Sequence, residues 1–279
     1  MAPPLETSYT PELLELARST CLYVYTRLGE LSDELVVAGG LVPALIIPQD
    51  PPPEGAERHV GTRDLDLGFS MGVFNGNRYH LIAERFRSAG FEPDVNESGN
   101  PTFQRWRLAD ARGVTVDFLI PQTGSDDRGG SIRHLERDFA AIITPGLELA
   151  FEDRLPVPMA GRTPLGEKAE RSVWVCGPGA YIALKTLAFG LRGENKDAYD
   201  LFYVIRNFRD GPSSVAAHVA PLRRLAVMGD ALAILARDFT DPEALGPARV
   251  ARFLYDQPNA ETQADVAGFV SQFLSLCGA

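Results

Sequence analysis

Cysteine is scarce in this 279-residue chain: Cys21, Cys176 and Cys277 are odd in number, far apart and in no metal-ligand spacing. That excludes a disulfide framework and a zinc site, and it suits a reducing compartment. Basic charge is also in short supply. Lys and Arg number 27 against 37 acids, for a net charge of −10. Such a balance argues against a surface coated for gripping nucleic acid. The deficit is uneven: residues 1–60 hold nine acids and three bases, while residues 61–220 hold 21 and 19. Long apolar runs are missing, since the most apolar segment, Val36 to Pro48, is short and broken by Gly39, Gly40 and Pro43. The opening MAPPLETSYT has no basic stretch ahead of an apolar one, so no signal peptide is expected. G-x-S-x-G, H-E-x-x-H and P-loop lysine motifs are absent too, which leaves hydrolase and zinc readings without support. A soluble cytoplasmic protein with no membrane contact is expected.

What is present suffices for a substantial core, with 45% apolar and 9% aromatic residues. Thr10-Pro11-Glu12 reads as a helix start, with an amphipathic helix running to about Gly29. Strands are expected at 34–38, 64–69, 102–108 and 113–120, the last two joined by a polar turn at 110–112. Helices are expected at 41–47 and 78–89, and the proline-rich segment 48–58 reads as loop. Several short strands are expected between 142 and 175. Beyond that the texture turns helical, at 179–191, 196–207, around 213–237 and at 265–276. The expected organisation is an α/β domain over residues 1–175 and a helical domain over 176–279.

Three features carry chemistry. Gly39-Gly40 follow a strand where a helix opens, and glycine there lets backbone N–H groups approach a phosphate; an ordinary tight turn is the alternative. Asp64-Leu65-Asp66 alternates on a strand, so both carboxylates share a face and repel unless a cation sits between them. Magnesium suits such oxygens, and two solvated acids are the alternative. Asp117 lies in the apolar strand VTVDFLI, where a carboxylate needs a metal or an ion-pair partner.

Together, Gly-Gly after a strand, D-x-D on the next strand and a third acid on a later one resemble the nucleotidyltransferase pattern of the DNA polymerase β superfamily, over roughly residues 34–120. The resemblance implies an α+β fold: a nucleotidyltransferase-type mixed sheet with flanking helices, followed by helices. It implies Mg²⁺ held by Asp64, Asp66 and Asp117, with Gly39-Gly40 cradling a nucleoside triphosphate. Thr62, two before Asp64, matches the family's usual small hydroxyl residue. Leu41 stands where relatives often carry Ser or Thr, and the 48–58 insert stretches the spacing.

A second resemblance concerns Lys185, Arg192 seven residues on, Lys196-Asp197 and Asp200. This is similar to the second signature of AbiEii-like nucleotidyltransferases, toxins of type IV toxin–antitoxin systems, with Lys196 where the family usually has arginine. Lys185 and Arg192 fall on one helical face. The resemblance implies Lys185, Arg192 and Lys196 as phosphate contacts, Asp64, Asp66, Lys185 and Asp200 as catalytic, a tRNA 3′ end as acceptor and a cognate antitoxin as partner. Solvated ion pairs on two helices are the plain alternative. A small-molecule or protein acceptor, or a catalytically silent nucleotide-binding regulator, are the competing functions.

Arg58, His59 and Arg63 suit either a phosphate contact or simple solvation. Trp106, between Arg105 and Arg107 in a strand, reads as core. Gly177-Pro178 reads as a helix N-cap rather than a phosphate loop.

Overall fold

The computed structural model describes residues 5–70, 76–109 and 113–278. They form a mixed α+β fold in two compact units. One comprises Pro11–Val42 and Gly61–Cys176; the other comprises Met1–Thr10, Pro43–Val60 and Gly177–Ala279. The polar turn expected at 110–112 lies outside the described residues. Among the described residues, no helix is long and apolar enough to cross a membrane.

The first unit is built on a nine-stranded mixed sheet. Its strands are β1 (Leu35–Ala38), β2 (Asp64–Phe69), β3 (Phe91–Val95), β4 (Pro101–Leu108), β5 (Thr115–Pro121), β6 (Ile132–Glu136), β7 (Phe139–Thr144), β8 (Arg154–Arg162) and β9 (Lys168–Cys176). The main path runs β3-β4-β5-β2-β1-β9-β8, with β7 joining β5 and β6. Strands β2 and β5 are parallel, and β4 pairs antiparallel with β5. On β2 the alternation buries Leu65, Leu67 and Phe69 and turns Asp64 and Asp66 to the other face. Phe69 stacks on Phe118 at 5.2 Å, and Phe86, Trp106 and Phe139 complete an aromatic core. Helix α1 (Pro11–Leu28) starts on Pro11, and its buried stripe of Ala17, Cys21, Val24 and Leu28 faces inward, with β8 and β9 among its neighbours.

The remaining helices are α2 (Val42–Ile46), α3 (Gly76–Ser88), α4 (Leu149–Glu152), α5 (Pro178–Arg192), α6 (Asn195–Asn207), α7 (Pro212–Val219), α8 (Ala226–Phe239), α9 (Leu245–Tyr255) and α10 (Ala260–Cys277). Gly177 caps α5 with Pro178 at its start, and Gly193 closes it in the left-handed region. Helix α5 packs on α6, α7 and α8, and α10 on α7, α8 and α9.

Several elements depart from the sequence expectations. β3 carries Pro93, which hides the strand pattern and is tolerated because β3 is an edge strand. β6 is rich in charge and holds its place by pairing with β7. The segment expected as several short strands ends in one hairpin of two nine-residue strands, β8 and β9. Helix α9 carries Gly246-Pro247 in its first turn, where proline is tolerated although it reads as a breaker.

Candidate functional site

Three acidic residues of the sheet unit, Asp64, Asp66 and Asp117, share one face because strand register dictates it. Asp64 lies opposite Thr115, and Asp66 opposite Asp117, on parallel β2 and β5. Across the other edge of β5, Arg105 lies opposite Asp117. Residues paired across strands project to the same side, so Asp64, Asp66, Thr115, Asp117 and Arg105 form one polar patch. The Thr115 hydroxyl donates to Oδ1 of Asp64 at 2.5 Å. Thr62 accepts from the Asp64 N–H at 3.2 Å and so fixes the start of β2.

Gly39, directly after β1, completes the patch. It sits in the left-handed region at φ 66°, and a β-carbon on it would stand 1.6 Å from Oδ2 of Asp66. The glycine is therefore a matter of space as well as of backbone conformation. Gly39 to Leu41 make a 3₁₀ turn ahead of α2, which is only five residues long.

Asp117 is 4% exposed, and burial pushes its carboxyl pKa up against the opposing pull of Arg105. Arg105 donates from Nε to Oδ1 at 2.8 Å and from Nη2 to Oδ2 at 2.6 Å, a bidentate fork. The same Nη2 lies 4.0 Å from Oδ1 of Asp64. Hydrogen bonding to Asp117 holds the guanidinium firmly in its charged form. Three carboxylates and one guanidinium leave the patch with a formal charge of −2. Among the described residues, no three His, Cys, Asp or Glu side chains gather closely enough to hold a metal ion.

The second signature folds as a buried ion network within the helical unit. Lys185 Nζ lies 2.9 Å from Oδ1 of Asp197 and 3.0 Å from Oδ2 of Asp200. Lys196 reaches Oδ1 of Asp200 at 2.5 Å, and Arg192 forks onto Asp197 at 2.6 and 2.8 Å. Asp200 is fully buried; burial opposes its ionisation, but Lys196, Lys185 and the His59 hydrogen bond outweigh it and hold it ionised. Burial likewise opposes the Lys185 charge, and Asp197 and Asp200 reverse that. For Lys196 burial wins and lowers its pKa. Only Arg192 presents a largely exposed side chain, at 57%.

His59 joins this network from the proline-rich segment. Its Nε2 lies 2.9 Å from Oδ1 of Asp200, and its ring stacks on Tyr199 at 5.4 Å with Tyr203 edge-on at 4.8 Å. Burial first, and then the Lys196 charge, lower its pKa to about 4 despite Asp200. The ring is therefore neutral at pH 7 and donates its Nε2–H to the carboxylate.

No protein-family model matches this chain, and no curated protein does. Two solved structures are similar to it. One is an antigenic nucleotidyltransferase-like protein from Paracoccidioides brasiliensis, 14% identical, with a TM-score of 0.37, covering 84% of this chain and 95% of that one. The other is the antibiotic-resistance factor ANT(2'')-Ia, 13% identical, with a TM-score of 0.34, covering 75% of this chain and 95% of that one.

The structure thus brings Asp64, Asp66 and Asp117 onto one face beside Gly39, and it joins Lys185, Arg192, Lys196, Asp197 and Asp200 in another cluster. Gly40 is buried in the turn after β1. Sequence reasoning missed Arg105, and it left His59 undecided. A basic residue one position before the buried Trp106 is the signal for Arg105: it must face away from the core, toward Asp117. Arg58 pairs with Asp50 on the surface, where solvent screens the contact.

Proposed function

We propose that this chain is a divalent-metal-dependent nucleotidyltransferase that moves a nucleoside monophosphate from a nucleoside triphosphate onto a hydroxyl. The observation that carries the reading is the register of β2 and β5, which lines up Asp64, Asp66 and Asp117 on one face next to Gly39. Their oxygen donors are of the hard class that Mg²⁺ prefers, and the −2 patch complements a dication. By the family resemblance Asp64, Asp66 and Asp117 are the acids that would hold the metal, although with Arg105 forked on Asp117 they do not gather closely enough to do so. Thr115 orients the Asp64 carboxylate, Thr62 holds the Asp64 backbone, and Gly39 makes room for the Asp66 carboxylate. In the helical unit we assign Arg192 as the phosphate contact. Lys185, Lys196 and Asp200, being buried, act as positioning residues behind it.

Incubation with labelled NTPs, Mg²⁺ and total tRNA tests the reading, with an Asp64→Ala variant as control. Label on an RNA 3′ end, lost in the variant and in chelator, is the expected result. No labelled product on RNA, protein or small molecule overturns it. The resemblance to AbiEii-like toxins supports a tRNA acceptor and a separate antitoxin partner. The net charge of −10 favours the second reading, a small-molecule or protein acceptor. The two separate by salt: transfer to RNA weakens steeply as salt rises, and transfer to a small acceptor does not. A silent regulator would bind NTP with metal and release no pyrophosphate.

A further inference from the structure

The helical unit holds a cavity of about 380 Å³, and every residue that lines it belongs to that unit. This is the size of a small-ligand site. Its wall carries three carboxylates, Glu6, Glu57 and Asp265, and one guanidinium, Arg206. Nη1 of Arg206 lies 3.8 Å from Oδ2 of Asp265, so these two charges offset each other. Glu6 and Glu57 have no ion-pair partner among the described residues and leave the wall with an excess charge of −2. Burial, and then the Glu57 charge, push the Glu6 carboxyl pKa up. A second, independent feature lies on the same wall. Asn207 is only 8% exposed, yet its side-chain amide has no hydrogen-bond partner among the described residues. A buried polar group left in that state is costly unless a ligand meets it. Tyr255 adds a ring that is 49% exposed.

The wall selects among ligand classes. A phosphate or another anion is repelled by the excess negative charge. A neutral ligand leaves both glutamates uncompensated. A bare dication needs gathered oxygen donors, and among the described residues no three His, Cys, Asp or Glu side chains gather closely enough to hold one. An organic dication satisfies the charge without such a cage, and its carbon atoms suit an aromatic surface. We propose that this cavity binds an aliphatic diamine in its diammonium form. Glu6 and Glu57 meet its charge, Asn207 accepts an ammonium N–H, and Tyr255 covers the carbon chain. The site goes beyond the transfer reading above and stands or falls without it.

The test is a calorimetric titration of the full chain with putrescine, with butanediol as its uncharged isostere. Wild type, Glu57→Gln, Asn207→Ala and Glu97→Gln are compared. Glu97 is an exposed acid outside the cavity, so its variant loses the same charge elsewhere. Wild type is expected to show one saturable site per chain. Glu57→Gln weakens it about tenfold and Asn207→Ala about fivefold. Glu97→Gln leaves it unchanged, and butanediol does not bind. Putrescine also raises the melting temperature of wild type more than that of Glu57→Gln. Equal weakening in Glu57→Gln and Glu97→Gln means general attraction to an acidic protein and overturns the site. Butanediol binding as tightly as putrescine overturns it too, as does the absence of both saturable heat and a melting shift at millimolar putrescine. If Asn207→Ala does not fold, Glu57→Gln and Glu6→Gln decide: weakening in either supports the site, and wild-type affinity in both refutes it.

Discussion

Gly39 and Asp66 touch in a way that no other residue pair at those positions could: the Asp66 carboxylate occupies the place of the β-carbon that Gly39 lacks. Gly39→Ala therefore suffers twice, once from a left-handed backbone and once from the collision. The expected cost is about 1–3 kcal/mol of stability, with transfer activity falling about a hundredfold as Asp66 is displaced. Gly166→Ala is the control, since Gly166 has φ 82° and nothing near its missing β-carbon. It should lose stability through the backbone alone and keep its activity. Urea unfolding and initial rates on both variants decide; intact activity in Gly39→Ala would remove Asp66 from the site.

Lys185→Met should be strongly destabilising, because it strands Asp197 and Asp200 in the interior with less compensation. Breaking a buried pair costs roughly 3–5 kcal/mol. Adding Asp200→Asn should recover part of that, and the recovery measures the coupling. If Lys185→Met instead keeps wild-type stability in urea and loses only activity, Lys185 is a phosphate ligand rather than a positioning residue.

His59 makes stability depend on pH. Its folded pKa of about 4 lies below its unfolded value near 6.5. Between those values the unfolded chain binds a proton that the folded one refuses, so stability falls as pH drops from 6.5 toward 4. The His59 contribution to that fall is about 3 kcal/mol. Denaturant unfolding across this window should show a smaller slope in His59→Gln than in wild type. Identical slopes would mean that His59 titrates normally in the folded protein.

Thr115→Val removes the hydroxyl that orients Asp64 and changes little else on β5. The Mg²⁺ concentration for half-maximal transfer should rise about tenfold, as for the loss of an outer partner of a metal ligand. The maximal rate at saturating metal should stay within a few-fold of wild type. A collapse of the maximal rate with no change in metal requirement would place Thr115 in contact with substrate.

Much of this was readable because single-strand periodicity and cross-strand register obey the same alternation. Asp64, Leu65, Asp66 and Leu67 announce a half-buried strand, and Asp117 in an apolar run announces a charge needing a partner. Which partner Asp117 takes was not readable. Arg105 is twelve residues away, and only antiparallel pairing of β4 with β5 sets the two side by side. The helical signature was readable as spacing, but not its burial: Lys185, Lys196 and Asp200 look like surface charges until α6 and the segment 43–60 supply their surroundings. His59 was undecidable for the same reason, since its partner is 141 residues away. β3 and α9 were hidden because proline carries one meaning in sequence and another at an edge strand or a first helical turn.

The helical unit is discontinuous in sequence, with residues 43–60 leaving the strand region to fold with residues 177–279. A chimera joined at residue 176 would thus receive Asp200 without the imidazole that meets it. A protein fragment beginning at 177 should likewise expose Tyr199 and Tyr203, which lie against His59 in the intact chain. Any exchange of modules between relatives of this protein has to carry residues 43–60 and 177–279 together, so these two parts of its helical unit are expected to be inherited as one.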